Sequence, residues 1–60
     1  MSTYMIVWGA NGFGDSVKFF DEYDTVLSFV HGLVKSILAD VIQIYVWDDE
    51  NDKYEFLREV

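Results

Sequence analysis

The side chains of this sequence that could do chemistry are a run of carboxylates, one imidazole and the backbone of a glycine-rich stretch. Asp48, Asp49, Glu50 and Asp52 crowd four acids into five positions. With Glu59, the residues Asp48, Glu50 and Asp52 fall at positions 1, 3, 5 and 12 of a calcium-loop spacing. The sixth position holds Lys53, where the sharp turn needs Gly, and strand-like segments flank the run, so a solvated turn is the expected reading. His31 is the only histidine and there is no cysteine, so a metal site would need carboxylates alone around one imidazole. Ser28 and His31 share a helical surface, where no nucleophilic set of serine, histidine and acid is expected. Eleven acids on a small domain pair by chance, and no cleft is evident for acid–base work. The expectation is a protein that is not an enzyme, with no cofactor and no metal.

The glycine-rich stretch is Gly9-Ala10-Asn11-Gly12-Phe13-Gly14, entered from the apolar run Ile6-Val7-Trp8. It resembles the start of extended short-chain dehydrogenases, where a strand runs into GxxGxxG and a helix N-terminus holds a pyrophosphate. Here the third Gly comes one position early and Ser16 to Phe20 reads as strand, so a hairpin loop is expected instead.

Sixty residues allow one small domain, 1–60, which buries only about 60% of the surface that the unfolded chain exposes. The lack of cysteine excludes a disulfide-stapled secreted fold. At 52% hydrophobic and 18% aromatic the chain is too apolar for intrinsic disorder. Its longest charge-poor run, residues 25–39, contains Lys35 and is too short to span a bilayer. The first residues lack the basic start and cleavage site of a signal peptide, so the expected compartment is cytoplasmic, with no membrane contact. A formal charge of −7 argues against direct contact with nucleic acid, whose phosphates require Lys and Arg.

The elements that must position these residues follow from periodicity. Tyr4 to Trp8 and Ser16 to Phe20 form a first hairpin. Asp21, with Asp24 three residues on, is the expected cap of a helix running to Ala39 or Asp40. Its apolar stripe is Tyr23, Val26, Val30, Leu33 and Ile37, flanked by Leu27 and Val34. Ser28, Gly32 and Ser36 make a line of small residues on the opposite side. Val41 to Trp47 and Lys53 to Leu57 form a second hairpin about the acidic turn. The fold class is α+β: ββαββ, hairpin–helix–hairpin, a four-stranded sheet with one helix packed on one face. This order, with the aromatic-Asp-Asp start of the second turn, resembles the immunoglobulin-binding domains of bacterial surface proteins and is β-grasp-like. Their antibody-contact residues have no counterparts here, so the likeness concerns fold alone.

Alternation then distributes the apolar side chains. Pairing Trp47 with Tyr54 pairs Tyr45 with Phe56, and strand one can add Tyr4, Ile6 and Trp8 to that aromatic face. Ile42, Ile44, Val46 and Leu57, with Met5 and Val7, fill the other, broken by Lys53 and Glu55. The aliphatic face is expected under the helix. A single helix about 10–12 Å across shelters the centre of one face only, so the second face is left for a partner.

The expected function is therefore a non-enzymatic, acidic protein-interaction module that binds another protein with a basic surface. Its sharpest form is an inhibitor of a nucleic-acid-binding protein acting by charge mimicry, a class common in phages and mobile elements. The expected partner-binding residues are Trp8, Tyr45, Trp47 and Tyr54 for contact area and Asp48, Asp49, Glu50 and Asp52 for charge. The alternative is a small structural homodimer packed through the apolar sheet face.

Overall fold

The computed structural model describes residues 2–9, 15–36 and 40–60. Strands β1 (Tyr4–Gly9) and β2 (Asp15–Phe20) precede helix α1 (Tyr23–Ser36), and β3 (Val41–Asp48) and β4 (Lys53–Glu59) follow it. This is the expected ββαββ order. The glycine-rich residues 10–14 and the expected last turn of the helix, residues 37–39, lie outside the described residues. A strand and not a helix follows the glycines, as the hairpin reading requires.

The four strands form one sheet in the order β2-β1-β3-β4, antiparallel throughout. A second hairpin can be laid beside β1 through either of its strands. Placing β4 there would give the parallel central pair of a β-grasp sheet. Here β3 takes the place, so the likeness to those domains lies in element order and not in strand order. The β1–β3 ladder extends beyond both strands, where Trp47 N–H donates to the Thr3 carbonyl and Asp40 N–H to the Gly9 carbonyl, each at 2.7 Å.

Helix α1 forms where apolar side chains recur at helical spacing, and it buries Val26, Val30 and Leu33. Its first backbone bond, Val26 N–H to the Glu22 carbonyl at 3.2 Å, puts Glu22 rather than Asp21 at the cap. Asp24 lies in the first turn and Lys35 in the last, both matching the helix dipole. The buried stripe meets Ile6, Ile42 and Ile44, and these six are the buried core among the described residues. Tyr4, Trp8, Phe20, Tyr23 and Phe29 close its margin. Phe29 is the helical residue that the stripe read from sequence leaves out. It packs against Trp8 at 5.1 Å and Phe20 at 5.2 Å between ring centroids, while Leu27 and Val34 remain exposed.

The register of β1 corrects the expected faces. Tyr4, Ile6 and Trp8 stand opposite Val46, Ile44 and Ile42, so they share the helix-covered side with the aliphatic residues of β3. Met5 stands opposite Tyr45, on the uncovered side. A one-residue change of register turns every side chain of a strand to the other face. In this register the fully buried Ile6 and Ile44 meet beneath Val26 and Val30.

Candidate functional site

With Ile6 and Ile44 committed to the helix, the pairing assigns the opposite, outer face of the sheet. It carries Val17 and Phe19 from β2, Met5 and Val7 from β1, Val41, Gln43, Tyr45 and Trp47 from β3, and Tyr54 and Phe56 from β4. By register this face also holds Asp15, opposite Gly9, and Glu59, opposite Gln43, both at the end away from the second hairpin turn. Among the described residues no second layer lies on it. Phe19 and Phe56 are 52% and 57% exposed, values that mark large apolar side chains left in water.

The aromatic rings of the outer face are ordered against one another. Trp47 and Tyr54 meet edge to face at 5.0 Å and Tyr45 and Phe56 at 5.8 Å, both favourable quadrupole geometries. The Tyr54 hydroxyl donates to the Ser2 carbonyl at 2.6 Å, and the Tyr45 hydroxyl to Gln43 Oε1 at 3.0 Å. Each ring therefore keeps a polar tip satisfied while its apolar body stays in the surface layer. On the helix side, Lys53, Glu55 and Arg58 of the edge strand β4 pair with Asp48, Val46 and Ile44. Lys53 and Glu55 are the residues that interrupt the aliphatic pattern. They sit on the strand beyond the reach of the helix, exposed to water.

Trp47 and Tyr54 of the expected contact set adjoin across the second hairpin, with Tyr45 two residues along β3 on the same face. Trp8 lies apart from them, under the helix. The four acids all lie at the hairpin tip beyond Trp47 and Tyr54. Asp48 is engaged in the turn itself. Its Oδ2 accepts the Asn51 side-chain amide at 2.7 Å, and its Oδ1 accepts the backbone N–H groups of Glu50 at 2.9 Å and Asn51 at 3.4 Å. The Asn51 side chain holds its carboxyl below the usual aspartate value; desolvation opposes this, and the backbone donors of Glu50 and Asn51 add to the lowering. Asp52 closes the turn in the left-handed region, with φ of 55°. Asp49, Glu50 and Asp52 are exposed.

The topology adds a relationship that the sequence does not display. Phe20 at the end of β2, Tyr4 at the start of β1 and Val46 near the end of β3 lie side by side. The helix entry with Asp21, Glu22 and Asp24 therefore lies at the same end of the sheet as the acidic hairpin tip. Seven of the eleven acids make one acidic pole, bordered by Trp47 and Tyr54 on the outer face.

His31 and the Ser28, Gly32 and Ser36 line are exposed on the helix. The Ser36 hydroxyl donates to the Gly32 carbonyl at 2.8 Å. Among the described residues no three metal-binding side chains gather and no pocket forms. No described helix is long and apolar enough to cross a membrane. No family model, curated protein or solved structure matches the chain.

Proposed function

We propose that this chain is a non-enzymatic protein-interaction module whose contact surface is the outer face of its sheet. One observation carries the reading: a four-stranded face of aliphatic and aromatic side chains lies open, on the side that the only described helix does not cover. Tyr45, Trp47, Tyr54 and Phe56 are residue types that concentrate binding energy at interfaces, because they supply large area at low side-chain entropy cost. Met5, Val7, Val17 and Phe19 extend the surface, and Trp8 supports it from the core.

The acidic pole at one rim selects a partner with basic groups beside an apolar patch. In the most specific form of this proposal, the protein acts in the cytoplasm as an inhibitor of the phage or mobile-element type. Carboxylates of the hairpin tip then occupy a basic groove where nucleic-acid phosphates would lie. Affinity capture from host lysate, repeated at low and high salt, followed by titration of the purified captured protein, tests this. Reversing Asp49 and Glu50 to Lys is expected to slow association and flatten its salt dependence, while Phe56→Glu abolishes binding. Binding unchanged by the charge reversal removes the steering role, and binding unchanged by Phe56→Glu removes the face.

A second reading, a structural homodimer without an inhibitory role, is favoured by the exposure of Val17, Phe19, Val41 and Phe56 on one face. Covering the outer face would add a second apolar layer beside the six buried side chains of the described core.

A further inference from the structure

We infer that in the absence of another partner the outer face is covered by a second copy of this chain, the two sheets face to face with their strands running in opposite directions. This rests on the outer face being the contact surface, and adds its occupant and orientation. Charge argues for the occupant. The chain carries −7, yet by register the outer face holds only Asp15 and Glu59 among the eleven acids, both at the end away from the acidic pole, so the middle of two such faces can meet without opposing like charges.

Area argues in the same direction. Four strands about 4.8 Å apart and six residues at about 3.3 Å each give a face of roughly 400 Å² in projection. Allowing for side-chain relief, a pair of such faces buries on the order of 1,200 Å², the lower end of the range for stable interfaces. The outer faces are also edgeless in the direction of contact, so packing them needs no new backbone pairing. The free edges differ in this respect. Strand β4 is bulged opposite Ile44 and Tyr45 and carries Lys53, Glu55, Arg58 and Glu59, a poor template for pairing.

The acidic pole sets the orientation. A two-fold axis between packed sheets lies in the plane of contact, along the strands or across them. Along the strands, it stacks both poles at one end, about 10 Å apart, near one Debye length at physiological salt. Across the strands, it sends the poles to opposite ends, separated by roughly the 26 Å length of the eight-residue β3. That distance exceeds three Debye lengths, so screening removes the repulsion between poles, and each pole of seven acids faces instead the far end of the other sheet, which holds only Asp15, Asp40 and Glu59. A basic protein that takes the outer face must then displace the second copy.

Sedimentation equilibrium over a range of concentrations tests the occupant. The chain is expected to be a dimer at micromolar concentration, and Phe56→Glu and Phe19→Glu, at opposite edges of the face, are each expected to weaken association at least 100-fold while circular dichroism stays native. Val34→Glu, at a 54% exposed position on the outside of the helix, should leave the dimer intact. A dimer that survives both Phe substitutions, as one joined through the β2 edge would, overturns the inference. Because the chain has no cysteine, Asp49→Cys gives a single spin-labelling site per copy. A label-to-label distance beyond about 25 Å supports opposed strands, given β3's length of eight residues, and one near the sheet spacing overturns them. Trp8→Phe leaves Trp47 as the sole indole, which separates the two levels of the argument. A monomer whose Trp47 is readily quenched by acrylamide overturns the second copy and leaves the face free for another protein. A monomer whose Trp47 is shielded overturns both.

Discussion

The ring of Phe19 on one edge strand lies 5.8 Å from the ring of Tyr54 on the other, although two strands separate them in the sheet. Neighbouring strands are about 4.8 Å apart, so backbones three spacings apart are joined only because both side chains lean inward over Met5 and the start of β1. Tyr54 is held in that posture by its bond to the Ser2 carbonyl and by the Trp47 ring beside it. The outer face is thus a surface whose two edges touch, organised before any partner arrives, which lowers the ordering cost of docking.

Tyr54→Phe removes the hydroxyl while keeping the ring. It is expected to lower stability by about 1 kcal/mol, the usual net worth of such a bond, because the Ser2 carbonyl remains near water and can be rehydrated. Tyr54→Ala is expected to cost about 2–3 kcal/mol, since the contacts with Phe19 and Trp47 go as well. Urea denaturation of the two variants under monomeric conditions checks the order. Equal losses would mean that the ring packing contributes nothing.

Asp52 adopts a left-handed backbone at φ of 55°, which costs an L-residue free energy that glycine escapes. Asp52→Gly is expected to raise stability by about 0.5–1 kcal/mol, less than the full conformational penalty because Asp tolerates this region better than most residues. The thermal midpoint should rise. A fall would show that the Asp52 side chain holds the turn in a way its backbone does not reveal.

The order of elements is legible because the patterns differ in period. Val26, Val30 and Leu33 recur at helical spacing, and Trp47 and Tyr54 alternate in step with Tyr45 and Phe56 about a turn of acids and Asn. The face of β1 is not legible, since Tyr4, Met5, Ile6, Val7 and Trp8 are apolar at both parities and alternation cannot choose between them. Packing chooses: Ile6 fits beneath the helix, and Trp8 follows it by two. Phe29 stays hidden for a related reason, because both flanks of the helical stripe are apolar and only the position of Trp8 and Phe20 decides which one turns inward. The aromatic cluster of the second hairpin is therefore readable, while its extension through Met5, Val7, Val17 and Phe19 depends on a register that no local pattern sets. The acidic pole depends on strand order and is invisible from spacing alone.

Gly32 lies mid-helix on the exposed side, and a Cβ there would meet no atom within 4 Å. Gly32→Ala is expected to stabilise the domain by about 1 kcal/mol through helix propensity alone. The same substitution reports on the small-residue line of Ser28, Gly32 and Ser36. If another chain packs closely on that line, the added methyl will weaken the association while stabilising the monomer, and sedimentation together with thermal melting separates the two effects.

Asp48 makes the pH dependence of the second hairpin specific. Its charged form accepts the Asn51 amide and two backbone N–H groups, so its carboxyl titrates below the usual aspartate value in the folded chain. A group whose pKa falls on folding stabilises the native state above its unfolded value and ceases to do so as the pH drops through the folded one. Asp48→Asn retains an oxygen acceptor for the turn but removes the charge, and so isolates this effect. Asp49, Glu50 and Asp52 repel the Asp48 carboxylate and work in the opposite sense, but in about 1 M salt the Debye length shrinks to roughly 3 Å and leaves mainly the direct hydrogen bonds. In such salt the native chain is expected to melt above Asp48→Asn near neutrality, with the gap closing on acidification below the ordinary aspartate range. A gap that persists unchanged into strong acid would assign the difference to the geometry of the amide and not to the charge.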